Sequence, residues 1–530
     1  MNSIQLNKPS KNKFDLSHEV KQTGNMGYLY PCYVQDVIPG DSFRVNTQQM
    51  VRFSPLLAPM MHNVDFKLDY FFVPYRLVWD EWKDFITGGE DGNDLPSFPR
   101  VQTNGVNVIP KLSKGSLADY LGVPPTESSM SGPQVGGAWT ENTTTYQELS
   151  VLPFRAYQLI YHEYFRDQNV GTEYIQYTTS GQQSGTTVLA DQMDLRRSNW
   201  EKDYFTSALP FLQRGGEVEL PLGTVSVDTF QGSSGDPTGW EELKIGPFGS
   251  SVAENKLFTS DSSGTFPGAL TGEMQAVTIN ELRKASALQK WLEIMARAGS
   301  RYREQIFAIF GERIPDYTVQ VPQYLGGGKT PIMISEVLST YAQTSSASTG
   351  SSTDRPMGDM AGHALGLGDG LGFQQSFDEH GIVLGLCRII PKASYVQGLN
   401  RFWQKFDKFD HYFPQFANLG EQEVYNKEIY VKGNNNTDND IFGYQQRYAE
   451  YKYAQNRIAG DFRDTLAHWE LSRRFNDHPL LNQSFIECDD AETTRIFAIE
   501  DSTEDKIWIS LYHKVDALRP MPYHSNPTLS

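Results

Sequence analysis

Phe43, Val45, Thr47, Gln49, Val51 and Phe53 lie on one side of a period-two alternation, and Val64, Phe66, Leu68, Tyr70 and Phe72 do so against Asp65, Lys67 and Asp69. Successive side chains of a strand point to opposite faces, so each run predicts a half-buried strand. Near the other end, Ile507, Ile509, Leu511, His513 and Val515 alternate with Trp508, Ser510, Tyr512 and Lys514. Residues 382–390 and 424–431 give two more strand candidates. Strands therefore bracket a chain with helical and irregular material between them. That order predicts a mainly β protein, a β-sandwich with enlarged connections, and a jelly roll is one common way to protect its sheet edges.

Helical spacing interrupts the strands. Thr278 and Glu281 stand at capping-box distance, followed by Ile279, Leu282, Ala285, Leu288, Leu292 and Met295 at three- and four-residue steps, with Gly299 as the stop. A second helix is expected over 301–310, with Tyr302, Ile306 and Phe310 on one stripe and Gly311 and Pro315 after it. Pro153 opens a third, in which Tyr157, Ile160 and Tyr164 share a face. Val78, Trp82, Phe85 and Ile86 suggest a fourth. Each stripe is expected to pack on the chain's own sheet.

The first twenty-five residues are polar and rich in Asn and Lys, which predicts an N-terminal arm (1–25) ahead of one large domain (26–530). Residues 231–270 and 344–372 are rich in Gly, Ser, Thr and Asp, the composition of exposed loops. The second of these is expected to be a flexible loop. Residues 278–311 read as a helical insert and 516–530 as an extended C-terminal tail.

The formal net charge of −18, from 46 basic and 64 acidic residues, argues against the whole chain being a nucleic-acid binder, because phosphate affinity comes from clustered Lys and Arg. Any nucleic-acid contact must be local or delegated to another protein; Lys8, Lys11 and Lys13 on the arm are the local candidates, with a solvated tail as the other reading. Cys32, Cys387 and Cys488 form no C-x-x-C pair, so neither a zinc knuckle nor a disulfide framework is indicated and a reducing cytoplasm is the simplest setting. The N-terminus has no apolar signal core, and no stretch approaches the roughly 18 apolar residues of a membrane span.

Catalytic motifs fail one by one. His162-Glu163 begins like a zincin helix, but Arg166 stands where the second histidine ligand belongs. Gly326-Gly327-Gly328-Lys329-Thr330 ends like a phosphate loop, yet Gln323 occupies the first glycine position. The glycines of 366–372 recur every second residue, missing the offset that brings amides to a pyrophosphate. Asn434, Asn436, Asp438 and Asp440 could offer oxygens to calcium, but the glycine and distal glutamate of an EF-hand loop are absent. No catalytic residue, metal site or cofactor is assigned.

The stretch IFGYQQRYAEYKYAQNRIAGDFRDTLAHWELSRRF (441–475) mixes tyrosines, arginines and acids without the spacing of any enzyme motif. Tyr and Arg are enriched where proteins bury surface against each other. Tyr444, Arg447, Tyr448, Glu450, Tyr451 and Arg457 are therefore candidates for inter-subunit or structural contacts, with internal packing as the alternative.

Within it, FGYQQRYAEYKYAQNRIAGDFR resembles the C-terminal signature of the major capsid proteins of gokushoviruses, a group within the microviruses. FDLSHEVKQT, VIPGDSFRV, FFVPYRLVWDEW, KDYFTSALPFLQRG, the 278–311 segment and LRPMPYH are similar to the same family in the same order. The resemblance implies an eight-stranded antiparallel jelly roll that assembles, through pentamers, into a sixty-copy icosahedral shell around a circular single-stranded DNA genome. It also implies virion localisation after assembly in a bacterial cytoplasm, a small basic DNA-binding protein, a minor pilot protein, and a surface protrusion, by position near 223–272, that contacts a host receptor. The competing reading is a carbohydrate-binding or carbohydrate-hydrolysing β-sandwich, which nothing local excludes.

Overall fold

The two alternating runs near the N-terminus become neighbouring strands of two different sheets. The computed structural model describes residues 10–125, 147–171, 173–216, 218, 278–338, 360–499, 501 and 504–524, together with the backbone of short strands at 225–229, 244–245, 257–258 and 271–274. It divides into two compact units, 213–297 and the remainder.

In the larger unit, β1 (Asn12–Asp15), β2 (His18–Gly24), β3 (Tyr30–Val37), β4 (Ser42–Phe53) and β5 (Val64–Pro74) come first. The strands β6 (Gln323–Pro331), β7 (Met333–Leu338), β8 (Met360–Ser376) and β9 (Gly381–Pro391) follow, then the pair β10 (Glu421–Tyr425) and β11 (Ile441–Gln446), and finally β12 (Ile507–Arg519). One sheet runs β1-β12-β4-β8-β7 with β2 also on β12; the other runs β6-β5-β9-β3. All of these pairings are antiparallel. The chain passes from one sheet to the other between β2 and β3, β3 and β4, β4 and β5, β6 and β7, and β8 and β9, while β5 and β6 pair within one sheet, which is the jelly-roll order. The two sheets hold six and four strands, more than eight, because the first strand breaks at Leu16–Ser17 into β1 and β2 and because β7 adds an edge.

Alternation sets the six-stranded sheet. Phe43, Val45, Val51 and Phe53 of β4, with Ile507, Ile509, Leu511 and Val515 of β12, face Phe66, Leu68, Tyr70 and Phe72 of β5 across one apolar core. The four-stranded sheet departs from strict alternation. Its other face, with Phe71 and Val73 of β5 and Ile382, Leu384 and Leu386 of β9, forms a second core with α2 (Leu152–Ile160) and α3 (Thr186–Met193). Strands covered on both sides become continuous apolar runs, and β9 is buried at ten of its eleven positions. A buried polar spine crosses the main core: Thr47 Oγ1 lies 2.8 Å from His513 Nδ1, whose Nε2 is 2.9 Å from the Cys32 carbonyl. Burial first, and the nearby His18 second, push the His513 imidazole down to about 4.

Several expectations need correction. Residues 12–24 are not a free arm: β1 and β2 pair along β12, residue by residue. The predicted loop at 344–372 is a strand from Met360 on, paired with β4; residues 344–359 lie outside the described residues. Its glycines mark close backbone approach, since a Cβ on Gly372 would fall 1.9 Å from the Val45 carbonyl oxygen. Gly326–Gly328 likewise belong to edge strand β6, not to a phosphate loop. The tail's first residues, 516–519, continue β12. The strand expected over 424–431 stops at Tyr425, where a 3-10 turn begins.

The helices expected at 279–298 and 301–310 end at the glycines that the sequence marks, and the helix suggested by Val78, Trp82, Phe85 and Ile86 leaves Val78 outside it. α1 spans Trp82–Thr87, α4 Ile279–Ala298 and α5 Tyr302–Phe310. Thr278 and Glu281 close a reciprocal capping box, Glu281 N–H to Thr278 Oγ1 at 3.3 Å and Thr278 N–H to Glu281 Oε2 at 2.9 Å. Gly299 and Gly311 end the two helices with positive φ. The stripe of α4 does not pack as expected: Ile279, Leu282 and Leu288 are exposed. The smaller unit contains most of α4 and two antiparallel backbone pairs, 225–229 with 271–274 and 244–245 with 257–258. The rest of the expected protrusion lies outside the described residues.

Candidate inter-subunit surface

β10 and β11 pair antiparallel, and just beyond β11 the chain turns at Tyr448 with φ 62° and ψ 25°. A tyrosine in the left-handed region costs on the order of 1–3 kcal/mol and persists only where its surroundings over-determine it. Here they do. The residue is 3% exposed, its N–H donates to Gln422 Oε1 at 3.0 Å, and its hydroxyl lies 3.0 Å from the carbonyl oxygens of both Phe409 and His411. The Tyr412 ring meets it edge-on, centroids 5.3 Å apart.

Its neighbours hold the same overlying segment. Arg447 donates to the Phe409 carbonyl at 3.0 Å. The Lys405 ammonium sits 3.6 Å from the Tyr451 ring centroid and 3.3 Å from Glu450. Gln422 in turn donates to Glu450 at 2.8 Å. Arg401 is neutralised against Glu428 at 3.1 Å, a buried carboxylate whose pKa is raised first by burial.

The overlying segment, 399–416, is built from 3-10 turns at Arg401–Gln404, Lys408–Asp410 and Pro414–Phe416. Burial alone would raise the Asp410 carboxyl, but the N–H groups of Asp407 and Phe406, at 2.9 and 3.0 Å, outweigh it and hold the carboxyl below its usual range. Asn400 caps the first turn by accepting from Phe402 N–H at 2.8 Å. The segment is thus fixed by its own turns and by the tyrosine base. Its outer side chains are not covered: Phe402 and Trp403 are each 68% exposed and Phe406 is 90% exposed.

The six predicted contact residues separate on this geometry. Tyr448 is interior, and Arg447 and Glu450 are half-buried supports. Tyr444 is half-buried, with its backbone N–H and C=O both bonded to Leu209 at 2.8 Å. Tyr451 and Arg457 are exposed, Arg457 beside a small cleft with Met61, His62 and Phe462. Sequence reasoning missed Phe402, Trp403 and Phe406. The signal was the aromatic density of RFWQKFDKFDHYFPQF, where Phe402, Phe406, Phe409, Phe413 and Phe416 recur at helical three- and four-residue steps, yet the segment folds as 3-10 turns and that spacing does not become one buried face.

The remaining candidates resolve into local structure. His162 stacks on Tyr174 at 4.4 Å and its Nδ1 accepts from Arg166 at 3.1 Å. Asp438 accepts the N–H groups of Lys432 and Gly433 at 3.0 and 2.9 Å and pairs with His478 at 2.9 Å. Among the described residues no cluster of His, Cys, Asp and Glu could hold a metal, and no helix is long and apolar enough to cross a membrane. Lys13 pairs with Asp516 at 2.8 Å and Lys11 donates to the Gly40 carbonyl, while Lys8 lies outside the described residues. The three cysteines are buried thiols.

Comparison with known proteins matches residues 2–529 to the family model described as capsid protein (F protein). The capsid protein VP1 of Chlamydia phage 1 is 33% identical over 98% of this chain and 96% of its own length. VP1 of Bdellovibrio phage phiMH2K is 33% identical over 98% and 95%, and VP1 of Spiroplasma virus 4 is 28% identical over the same shares. The role is structural rather than enzymatic, and its place is the virion. A jelly roll with an uncovered aromatic surface, matched from end to end by shell proteins, belongs to the capsid protein (F protein) family and self-assembles into a shell.

Proposed function

We propose that sixty copies of this chain, associating through pentamers, close into an icosahedral shell around a circular single-stranded DNA genome. The observation that carries this reading is similarity to VP1 capsid proteins over 98% of the chain, joined to a jelly-roll order of strands. Closure supplies the persistence of the shell. A contact of only micromolar strength contributes roughly 8 kcal/mol, but a subunit held by several neighbours leaves only when all contacts break.

The net charge of −18 leaves DNA neutralisation to a partner, for which a small basic protein has the right chemistry. Lys8, Lys11 and Lys13 are the arm's own candidates for phosphate contact; Lys11 and Lys13 serve it only in exchange for Gly40 and Asp516. A minor pilot protein completes the particle. The insertion near 223–272 is assigned to a protrusion that meets a host receptor, a reading supported by its place inside a separate compact unit. Deleting 233–265 tests this: particles should still form while infectivity falls, and loss of particles would refute the assignment. The shell itself is tested by electron microscopy of the purified chain across protein concentration and salt. Hollow closed particles are expected; lone globules in every buffer would overturn the proposal.

A further inference from the structure

We infer that the aromatic segment 399–416 is the apolar anchor by which one copy of this chain seats on a second copy, with Phe402, Trp403 and Phe406 at its centre. The inference rests on the shell reading above and names the contact that reading leaves open.

The first argument is area. An aromatic side chain offers roughly 150–250 Å², so these three rings, at 68%, 68% and 90% exposure, present on the order of 500 Å² to water. That already matches the largest apolar patch of a typical monomer, about 300–600 Å². Tyr412 and Phe413 in the same stretch, and Leu419 just after it, are about half exposed. Together they approach the roughly 800 Å² that each partner contributes to a stable interface.

Rigidity is the second argument. A patch that could fold back on its own chain would bury its rings that way, but this one is fastened beneath. Tyr448, Arg447 and the Lys405–Glu450 pair hold its backbone from below, and the Asp407–Asp410 capping box fixes its turns. A surface held in its binding conformation avoids the ordering cost of association.

Charge selects the occupant. Aromatics interleaved with Arg and Lys could also stack on single-stranded nucleic acid. Here, however, Arg401 is taken by Glu428 and Lys405 by Glu450, and Asp407 and Asp410 flank Lys408. Little positive charge is left for phosphates. A charge-balanced, aromatic surface fits another protein surface, and a chain that self-assembles provides one in every neighbouring copy.

Hydroxyl-radical footprinting read by mass spectrometry tests this on the full chain as free subunits, empty shells and DNA-filled shells. Trp403 and Phe406 should be modified in subunits and lose that modification in both kinds of shell. Equal modification in subunits and shells overturns the inference, and protection in filled shells alone overturns it in favour of nucleic acid. If no shells form at all, the shell reading itself fails, which is a different result. A W403S/F406S double variant gives a second readout. Both side chains are exposed, so its thermal midpoint should match the parent's, while the concentration needed for assembly should rise at least about tenfold, the loss typical of removing an interface hot spot. Assembly at the parent's threshold would refute the anchor.

Discussion

The sandwich core and the 399–416 segment use the same kind of side chain to opposite ends. Phe43 and Phe66 alternate with polar residues and disappear between two sheets. Phe402, Trp403 and Phe406 crowd onto short turns and stay in water. Regular alternation hands every apolar group to one face, which the opposite sheet can cover. A succession of 3-10 turns spreads its side chains in several directions, so one face is fastened below and another is left for something outside the subunit. Aromatic content and spacing alone therefore say little about burial; the backbone that carries the aromatics decides it.

The sharpest way to break this contrast is to truncate one ring in each region. Phe66→Ala should cost about 3–5 kcal/mol in denaturant unfolding, through lost burial and the cavity left behind. Trp403→Ala in the isolated subunit should shift stability by no more than about 0.5 kcal/mol. Similar costs at the two sites would erase the distinction between core and docking surface.

Next in size is the acid sensitivity that His513 gives the core. His513 is fully buried and its folded pKa is held at about 4, below the ordinary histidine value of about 6.5. The unfolded chain therefore binds a proton that the folded chain refuses. The His513 contribution to stability should be constant above pH ~6.5, fall as the pH drops from ~6.5 to ~4, and lose roughly 3 kcal/mol over that window. The neutral polar variant His513→Gln should remove that part of the slope in denaturant titrations, and an unchanged slope would assign the acid sensitivity elsewhere.

The smallest effect probes the join between base and segment. Tyr448→Phe keeps the ring but removes the hydroxyl that the Phe409 and His411 carbonyls share. A loss of about 1–2 kcal/mol is expected. Faster amide exchange should be confined to 405–413. Exchange that rises instead across β4 or β12 would show that Tyr448 supports the sandwich, not the segment.

Much of the fold was legible because burial follows a period. The runs at 43–53, 64–72, 382–390 and 507–515 all became strands of the sandwich, and the capping residues Thr278 and Glu281 set the start of α4. Composition misled where it stood in for geometry. The Gly-rich stretch after Met360 read as a loop, yet its glycines let β8 lie against the β4 backbone. The polar stretch at 12–24 read as an arm, yet strand pairing needs only backbone groups, and alternate polar side chains can face water. The candidate surface was half legible. Its tyrosines and arginines were singled out as candidates for inter-subunit or structural contacts, but Tyr448 and Arg447 reach inward because of one left-handed residue, a conformation that no residue type at that position advertises.

The most direct test of the central claim is a cryo-electron-microscopy reconstruction of particles assembled from the purified chain. The account predicts a closed hollow shell in which Phe402, Trp403 and Phe406 of each copy are covered by a neighbouring copy, while Tyr448 stays inside its own subunit. A shell in which that aromatic face points into solvent or toward the genome would contradict it.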